Sequence, residues 1–356
     1  MSDTPIAVAL CGCTPFPLAS YLKGLAVLRL VSEQVDAGAA GWWADDTFHL
    51  RSALSEERLQ DFFLHEYQPT PLVAPWNGGS GFYPGDAHGA VDQIAEATHS
   101  RLAAFTTMIR RCRDLVQRMG LKSKPEKGGS KTTILIRCRN EFPDEALAWL
   151  DAAYMLIGGD SKFPPLLGTG GNDGRLEFTN NFMQRVVDVV DPQTGAPRAS
   201  SAAWLEASLL GRPAAGLTAK AAIGQFSPGA SGGANAEAGY EAESLTNPWD
   251  FILMLEGALL FSAAAARRLG TSEAGALSYP FTVRSTGAGY GSAALQDAGS
   301  SRAETWMPLW SHPVKLGELQ ALLCEGRANV GRRQARVGVD FARAVAGLGV
   351  DRGITV

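Results

Sequence analysis

Three glycine-rich stretches limit what this chain can fold into: residues 77–83 (NGGSGFY), 168–174 (GTGGNDG) and 285–292 (STGAGYGS). Glycine weakens helices and strands entropically and permits positive φ and close backbone approach. Regular elements must therefore fit between these stretches, and most that fit are helical. Leu18, Tyr21, Leu22, Leu25, Leu28 and Val35 recur at helical spacing, which predicts a helix over 18–35 ended by Gly38 and Gly41. Ser55 before Glu56 and Glu57 is an N-cap with acids in the first turn. Residues 88–119 read as one long helix or two, and 144–157 and 202–210 as further helices. Asn247-Pro248 opens the best-marked helix, with Arg267 and Arg268 at its negative end and Gly270 as its stop. Residues 316–348 read as helical with a basic face. Strand signals are short and scattered: 6–10, 42–50, 132–137 (TTILIR, from its β-branching), 277–284 and 302–310. The expected fold is α+β, mixed and helix-rich, with an irregular core and long glycine-rich loops. Its expected parts are an N-terminal α+β domain over 1–190, a turn-rich, low-complexity connection over 191–245, and a helical and strand region over 246–356 with a basic C-terminal helix.

Little in the sequence has the form of a reaction centre. The five cysteines are odd in number and form no CxxC pair, as in a reduced chain; Cys11-Gly12-Cys13 lacks the second cluster that a metal site would need. None of His49, His65, His88, His99 and His312 belongs to an HExxH pattern. Ser80 sits in Gly-Gly-Ser-Gly, one residue short of GxSxG. The 168–174 loop is neither GxxxxGK[ST] nor GxGxxG. No acidic cluster has metal-ligand spacing, so no enzyme activity and no cofactor are expected. The apolar run 251–266 contains Glu256 and is shorter than the roughly 20 residues a bilayer needs, which makes it a buried helix. With Asp3 and no basic region at the N-terminus, the chain reads as soluble and cytoplasmic, without a membrane partner. Its ending, DRGITV, has neither a polar tail nor a helix stop and reads as that of a fragment or processed product.

A net charge of −4 argues against coating DNA through bulk charge but leaves room for local basic faces. Residues 101–131 carry nine basic side chains against Asp114 and Glu126; the C-terminal helix adds Arg327, Arg332, Arg333, Arg336 and Arg343 against Asp340. A solvated helix face explains either alone. Two such faces beside three loops of glycine, amide and aromatic residues point to phosphate contacts, for which arginine's fork is suited. Asparagine and glutamine can bond adenine bidentately, arginine can bond guanine, and an aromatic ring can stack on or wedge beside a base. The candidate nucleic-acid-binding residues are then Asn77, Ser80 and Tyr83 on the first loop. Around the second they are Asn172, Arg175, Asn180, Asn181, Gln184 and Arg185, and around the third Arg284, Tyr290 and Arg302. Arg110, Arg111, Arg332, Arg333 and Arg336 are the candidates for backbone contacts. The competing reading is that the glycines serve tight turns and the loops brace the core.

Six stretches carry a family resemblance: 15–30 (PFPLASYLKGLAVLRL), 69–84 (PTPLVAPWNGGSGFYP), 163–185 (FPPLLGTGGNDGRLEFTNNFMQR), 247–261 (NPWDFILMLEGALLF), 279–284 (YPFTVR) and 301–310 (SRAETWMPLW). Together they resemble the large subunit of the type I-G (formerly I-U) CRISPR-associated surveillance complex, over nearly the whole chain. The resemblance implies a non-catalytic subunit of an RNA-guided antiviral complex. Such subunits sit at the 5′ handle of the CRISPR RNA, recognise the PAM duplex, promote R-loop formation and present the complex to a helicase-nuclease. Implied partners are CRISPR RNA, target double-stranded DNA, the backbone and handle-binding subunits, the small subunit and the helicase-nuclease. The alternative is a scaffold subunit that reads no DNA. The family's C-terminal helical region, which resembles the small subunit and follows the DRGI segment, is absent from this sequence.

Overall fold

The computed structural model describes residues 5–126, 128–157, 160–164, 166–167, 171–172, 176–217, 220–223, 226–231, 243–266, 276–284, 303–325, 329–330, 333–334, 338–346 and 354–355. The fold is α+β and helix-rich. Its helices are α1 (Leu18–Gln34), α2 (Glu56–Asp61), α3 (Gly89–Ala95), α4 (Ala103–Arg118), α5 (Gly129–Glu141), α6 (Leu147–Ala153), α7 (Phe178–Val189), α8 (Ser201–Leu210), α9 (Pro248–Ala258), α10 (Leu316–Glu325) and α11 (Gly338–Ala346).

An antiparallel sheet of four strands covers one side of α1. In spatial order they are β1 (Ile6–Leu10), β3 (Thr47–Ser52), β2 (Ala40–Ala44) and the short strand Val314–Lys315. The register pairs Val8 with Leu50 and Leu10 with Phe48, so one face is apolar by the two-residue period of a strand. Phe48 and Trp43 on that face meet α1, where Tyr21 stacks on Trp43 with centroids 5.2 Å apart. Gly24 makes room: a Cβ there would lie 2.8 Å from Phe48 Cγ.

The other side of α1 packs on α9. Helix α1 is buried without a break from Ser20 to Val31, so it has no solvated face and reads as a core helix. Its two buried cations are paired with α9. Lys23 Nζ is 2.7 Å from Asp250 Oδ1, and Arg29 Nη1 is 2.7 Å from Glu256 Oε2. Gly257 stands at the crossing, against the main chain of Leu22 and Ala26. Residues from all three sequence segments, Val8 through Ala344, join one hydrophobic cluster.

Several local expectations hold. Ser55 Oγ accepts from the Arg58 N–H at 3.2 Å, and Asn247 Oδ1 caps α9 by accepting from the Trp249 N–H at 3.0 Å. Others need correction. Residues 132–137 are helical, within α5; Ile134, Leu135 and Cys138 are buried at helical spacing, and this packing overrides β-branching. The run 251–266 is not one helix: α9 ends at Ala258, and Ala264–Ala266 is a strand paired with Ala276–Ser278. The span 88–119 divides into α3 and α4 around a 3-10 turn, Ser100–Leu102. Residues 144–157 end as strand Met155–Ile157. The span 316–348 is interrupted by paired strands Asn329–Val330 and Arg333–Gln334 between α10 and α11. Asn329, Gly331 and Gly338 are weak helix formers, and they lie where α10 and α11 part.

Candidate nucleic-acid interface

The first glycine-rich stretch and residues 171–172 of the second lie near the N-terminus of α7. Gly171–Asn172 pairs with Leu176–Glu177, and the chain enters α7 at Phe178. Glu177 caps the helix, accepting from the Thr179 N–H at 3.0 Å and from the Thr179 hydroxyl. Its second oxygen accepts from Asn77 Nδ2 at 3.1 Å, which ties α7 to the first loop.

That loop is braced from within. Asp86 accepts from the N–H groups of Gly79 (2.7 Å), Gly81 (2.9 Å) and Tyr83 (3.2 Å). Asn180 Nδ2 donates to the carbonyls of Gly79 (2.7 Å) and Ala87 (3.0 Å). Ser80 Oγ donates to Asn77 O at 2.7 Å, and the Tyr83 hydroxyl donates to Pro75 O. Gly81 has φ +88°, and a Cβ there would lie 2.3 Å from Val91 Cγ2, so glycine is required on both counts.

This geometry sorts the residues chosen from sequence. Ser80, Tyr83, Asn180 and Arg185 are buried, so in this conformation they face the protein and not a groove of DNA. Arg185 donates to Lys220 O at 3.4 Å and pairs with Asp188 at 3.0 Å, and burial lowers its pKa. Asn181 is half-buried and donates to Glu177 O at 2.8 Å; Gln184 is half-buried beside Arg185. Amides satisfy loop carbonyls as readily as they read bases, and residue type does not separate the two uses. Asn172 and Arg284 lie in short strands, opposite Leu176 and Ala303, and Arg333 pairs with Val330. Arg175, Tyr290, Arg302, Arg332 and Arg336 lie outside the described residues.

The outer rim of the loop is cationic. The Lys124 stem lies over Gly78, where a Cβ would come within 3.0 Å of its Cδ. Lys131, on α5, donates to Asn77 Oδ1 at 3.4 Å and stands 5.4 Å over the Phe163 ring. Lys122 and Lys124 are exposed, and no ion pair to either occurs among the described residues. On α4, Arg113 and Arg118 are neutralised by Asp92, Asp114 and Glu141. The exposed Arg110 and Arg111 instead donate to carbonyls, of Ala95 at 3.1 Å and of Glu141 at 2.8 Å, and neither has an ion pair among the described residues. Arg101 leaves the basic face altogether: buried, it donates to the carbonyls of Phe63, Leu64, Tyr67 and Gly195.

The sequence reading missed Glu177 and Asp86. An acid two residues before Thr179, at the start of an apolar-periodic run, was the available cap signal. Burial pushes the Glu177 carboxyl up to about 8, against its hydrogen bonds from Thr179 and Asn77 and helped by the Asp86 carboxylate. Its neutral form is favoured by the fold. That contribution to stability is complete below the ordinary value of 4.5 and is lost as pH rises to about 8. Glu177→Gln, which cannot ionise, should therefore lose less thermal stability than the parent between pH 5 and 9. Melting curves that fall in parallel would mean that Glu177 is ionised throughout that range.

No protein-family model matches the chain, and no curated protein matches it. Among the described residues, no group of three His, Cys, Asp or Glu side chains could hold a metal ion. Of the Cys11–Cys13 pair, Cys11 is exposed and Cys13 is buried, its thiol pushed up to about 12 by desolvation. Among the same residues no helix is long and apolar enough to cross a membrane.

Proposed function

We propose that this chain is the non-catalytic large subunit of a type I-G CRISPR surveillance complex. In that role it engages the PAM duplex and the 5′ handle of the guide RNA, promotes R-loop formation and recruits the helicase-nuclease. The six sequence stretches above support the assignment. The observation that carries the nucleic-acid role is the cationic rim: Lys124 and Lys131 flank the 77–86 loop at Asn77, with Arg110 and Arg111 on α4 in no ion pair among the described residues. Burial raises the Glu177 carboxyl toward its neutral form, which lessens the negative charge beneath the rim. The rim suits backbone phosphates, which position a protein on a duplex while base contacts specify sequence.

The experiment is binding of PAM-containing duplexes by the complex assembled with Lys124→Ala/Lys131→Ala. Affinity should fall about tenfold and the salt slope by about 2, with guide-RNA assembly intact. Parental affinity and salt slope would overturn the role of the rim. Asn180→Ala is a poor probe of base reading, because it removes two braces of the loop.

The scaffold alternative draws on that same bracing. Asp86, Ser80 and Asn180 occupy much of the loop's polar backbone and make it a rigid block fit for docking on another subunit. Photocrosslinking from position 82 of the assembled complex separates the readings, since docking alone yields protein adducts without nucleic acid.

A further inference from the structure

Asn77-Gly78 is the one Asn-Gly pair in the sequence. The amide carbon of an asparagine can be attacked by the backbone nitrogen of the residue that follows. Glycine, having no side chain, obstructs that attack least. The reacting atoms are already joined through the Asn77 main chain, so a five-membered ring closes without bringing in a second molecule. The Gly78 nitrogen is available. Gly78 is exposed, and its N–H makes no hydrogen bond among the described residues, whereas Gly79, Gly81 and Tyr83 all donate theirs to Asp86.

Each atom that changes its bonding in this reaction has a side chain beside it. Lys131 Nζ donates to Asn77 Oδ1 at 3.4 Å, where negative charge collects once the amide carbon is attacked. Glu177 Oε2 holds the departing Nδ2 at 3.1 Å. Ser80 Oγ donates at 2.7 Å to the Asn77 main-chain carbonyl, whose oxygen shares the charge when the Gly78 nitrogen gives up its proton. Burial, helped by the Asp86 carboxylate, raises the Glu177 carboxyl toward its neutral form, so it has a proton for the leaving nitrogen. Lys131 comes from α5 and Glu177 from the cap of α7, so both reach Asn77 only in the folded chain.

We propose that Asn77 is a self-modification site, where the fold promotes succinimide formation and conversion of Asn77 to aspartate and isoaspartate. The Gly78 nitrogen loses its proton to solvent and bonds to the Asn77 amide carbon, while Lys131 stabilises the oxyanion. The bond from that carbon to Nδ2 then breaks. Nδ2 leaves as ammonia with the proton of Glu177, which regains one from solvent. Water opens the succinimide at either carbonyl, and no electrons are exchanged. The product replaces the Nδ2 donor by a carboxylate beside Glu177, so the tie between the loop and α7 is lost. None of this chemistry depends on what the cationic rim binds.

Peptide mass mapping of the purified full chain, kept at neutral pH in buffer and in parallel in urea, tests this. Conversion adds about one dalton to the peptide that contains residue 77. The native chain should convert about tenfold faster than the unfolded one. Lys131→Met, Glu177→Gln and Ser80→Ala should each remove most of that acceleration and leave the rate in urea unchanged. The acceleration should also fade as pH rises past about 8, where Glu177 gives up its proton, but not in Glu177→Gln. Lys131→Met keeps an apolar stem over Phe163 and decides the question if the Ser80 or Glu177 variant does not fold. A fold that merely immobilises Asn77 would slow the reaction. A native rate at or below the rate in urea therefore overturns the proposal, as does a parental native rate in Lys131→Met. The readout is mass and not duplex binding, so this inference and the role of the rim can fail separately.

Discussion

Glu256→Ala should lower the unfolding free energy by about 3–5 kcal/mol, the cost of stranding a buried charge. Glu256 is fully buried on α9 and accepts four hydrogen bonds. The donors are Arg29 Nη1 at 2.7 Å, the Tyr67 hydroxyl at 2.6 Å, the Thr70 N–H at 2.9 Å and the Thr70 hydroxyl at 2.6 Å. Alanine removes every acceptor at once. Among the described residues the Arg29 guanidinium would keep Glu33, at 3.2 Å, as its one charged partner. Replacing both Arg29 and Glu256 with methionine should cost far less than the two single losses combined, because no charge is then left unpaired. Urea melts of the single and double variants measure this. A Glu256→Ala midpoint at the parental value would mean that the network contributes no net stability.

Gly257→Ala is the second large effect, and it is steric. An alanine Cβ would lie 1.9 Å from the Leu22 carbonyl oxygen and 2.8 Å from its carbon. Both atoms are main chain inside α1, so no rotamer can relieve the clash. Helices α1 and α9 must separate, which opens space between two buried helices. Overpacking of side chains costs about 1–3 kcal/mol, and a backbone collision belongs at or above the top of that range. A large drop in melting temperature is expected. Gly317→Ala provides the control, since nothing lies within 4 Å of a Cβ there. Equal melting temperatures for the two variants would mean that the helices can part at little cost.

How far the sequence could be read depended on whether a residue's task was local. The caps at Ser55 and Asn247 were legible because a capping side chain bonds a backbone N–H two or three positions on. Helix α1 was legible because its apolar residues recur at helical spacing. Segment 132–137 was misread because β-branching is a local preference, whereas the deciding contacts of Ile134, Leu135 and Cys138 are tertiary. The end of α9 at Ala258 was hidden inside a continuous apolar run, since hydrophobicity alone does not distinguish a buried helix from a buried strand. The glycine-rich stretches stood out in the sequence, but at the candidate interface the orientation of Asn77 and Asn180 did not. Asn180 bonds carbonyls 101 and 93 positions away, contacts that no local pattern announces.

The pairing of α1 with α9 has a consequence for how the chain is made. Arg29 and Glu256 are 227 positions apart. At the roughly 5–20 residues per second of protein synthesis, α1 waits about 11–45 s for the helix that completes its burial. During that interval Lys23 and Arg29 remain charged and hydrated on an otherwise oily segment, and they hold it in water until Asp250 and Glu256 emerge. The same two cations that lock the finished core thus serve the nascent chain as its temporary solubilising groups.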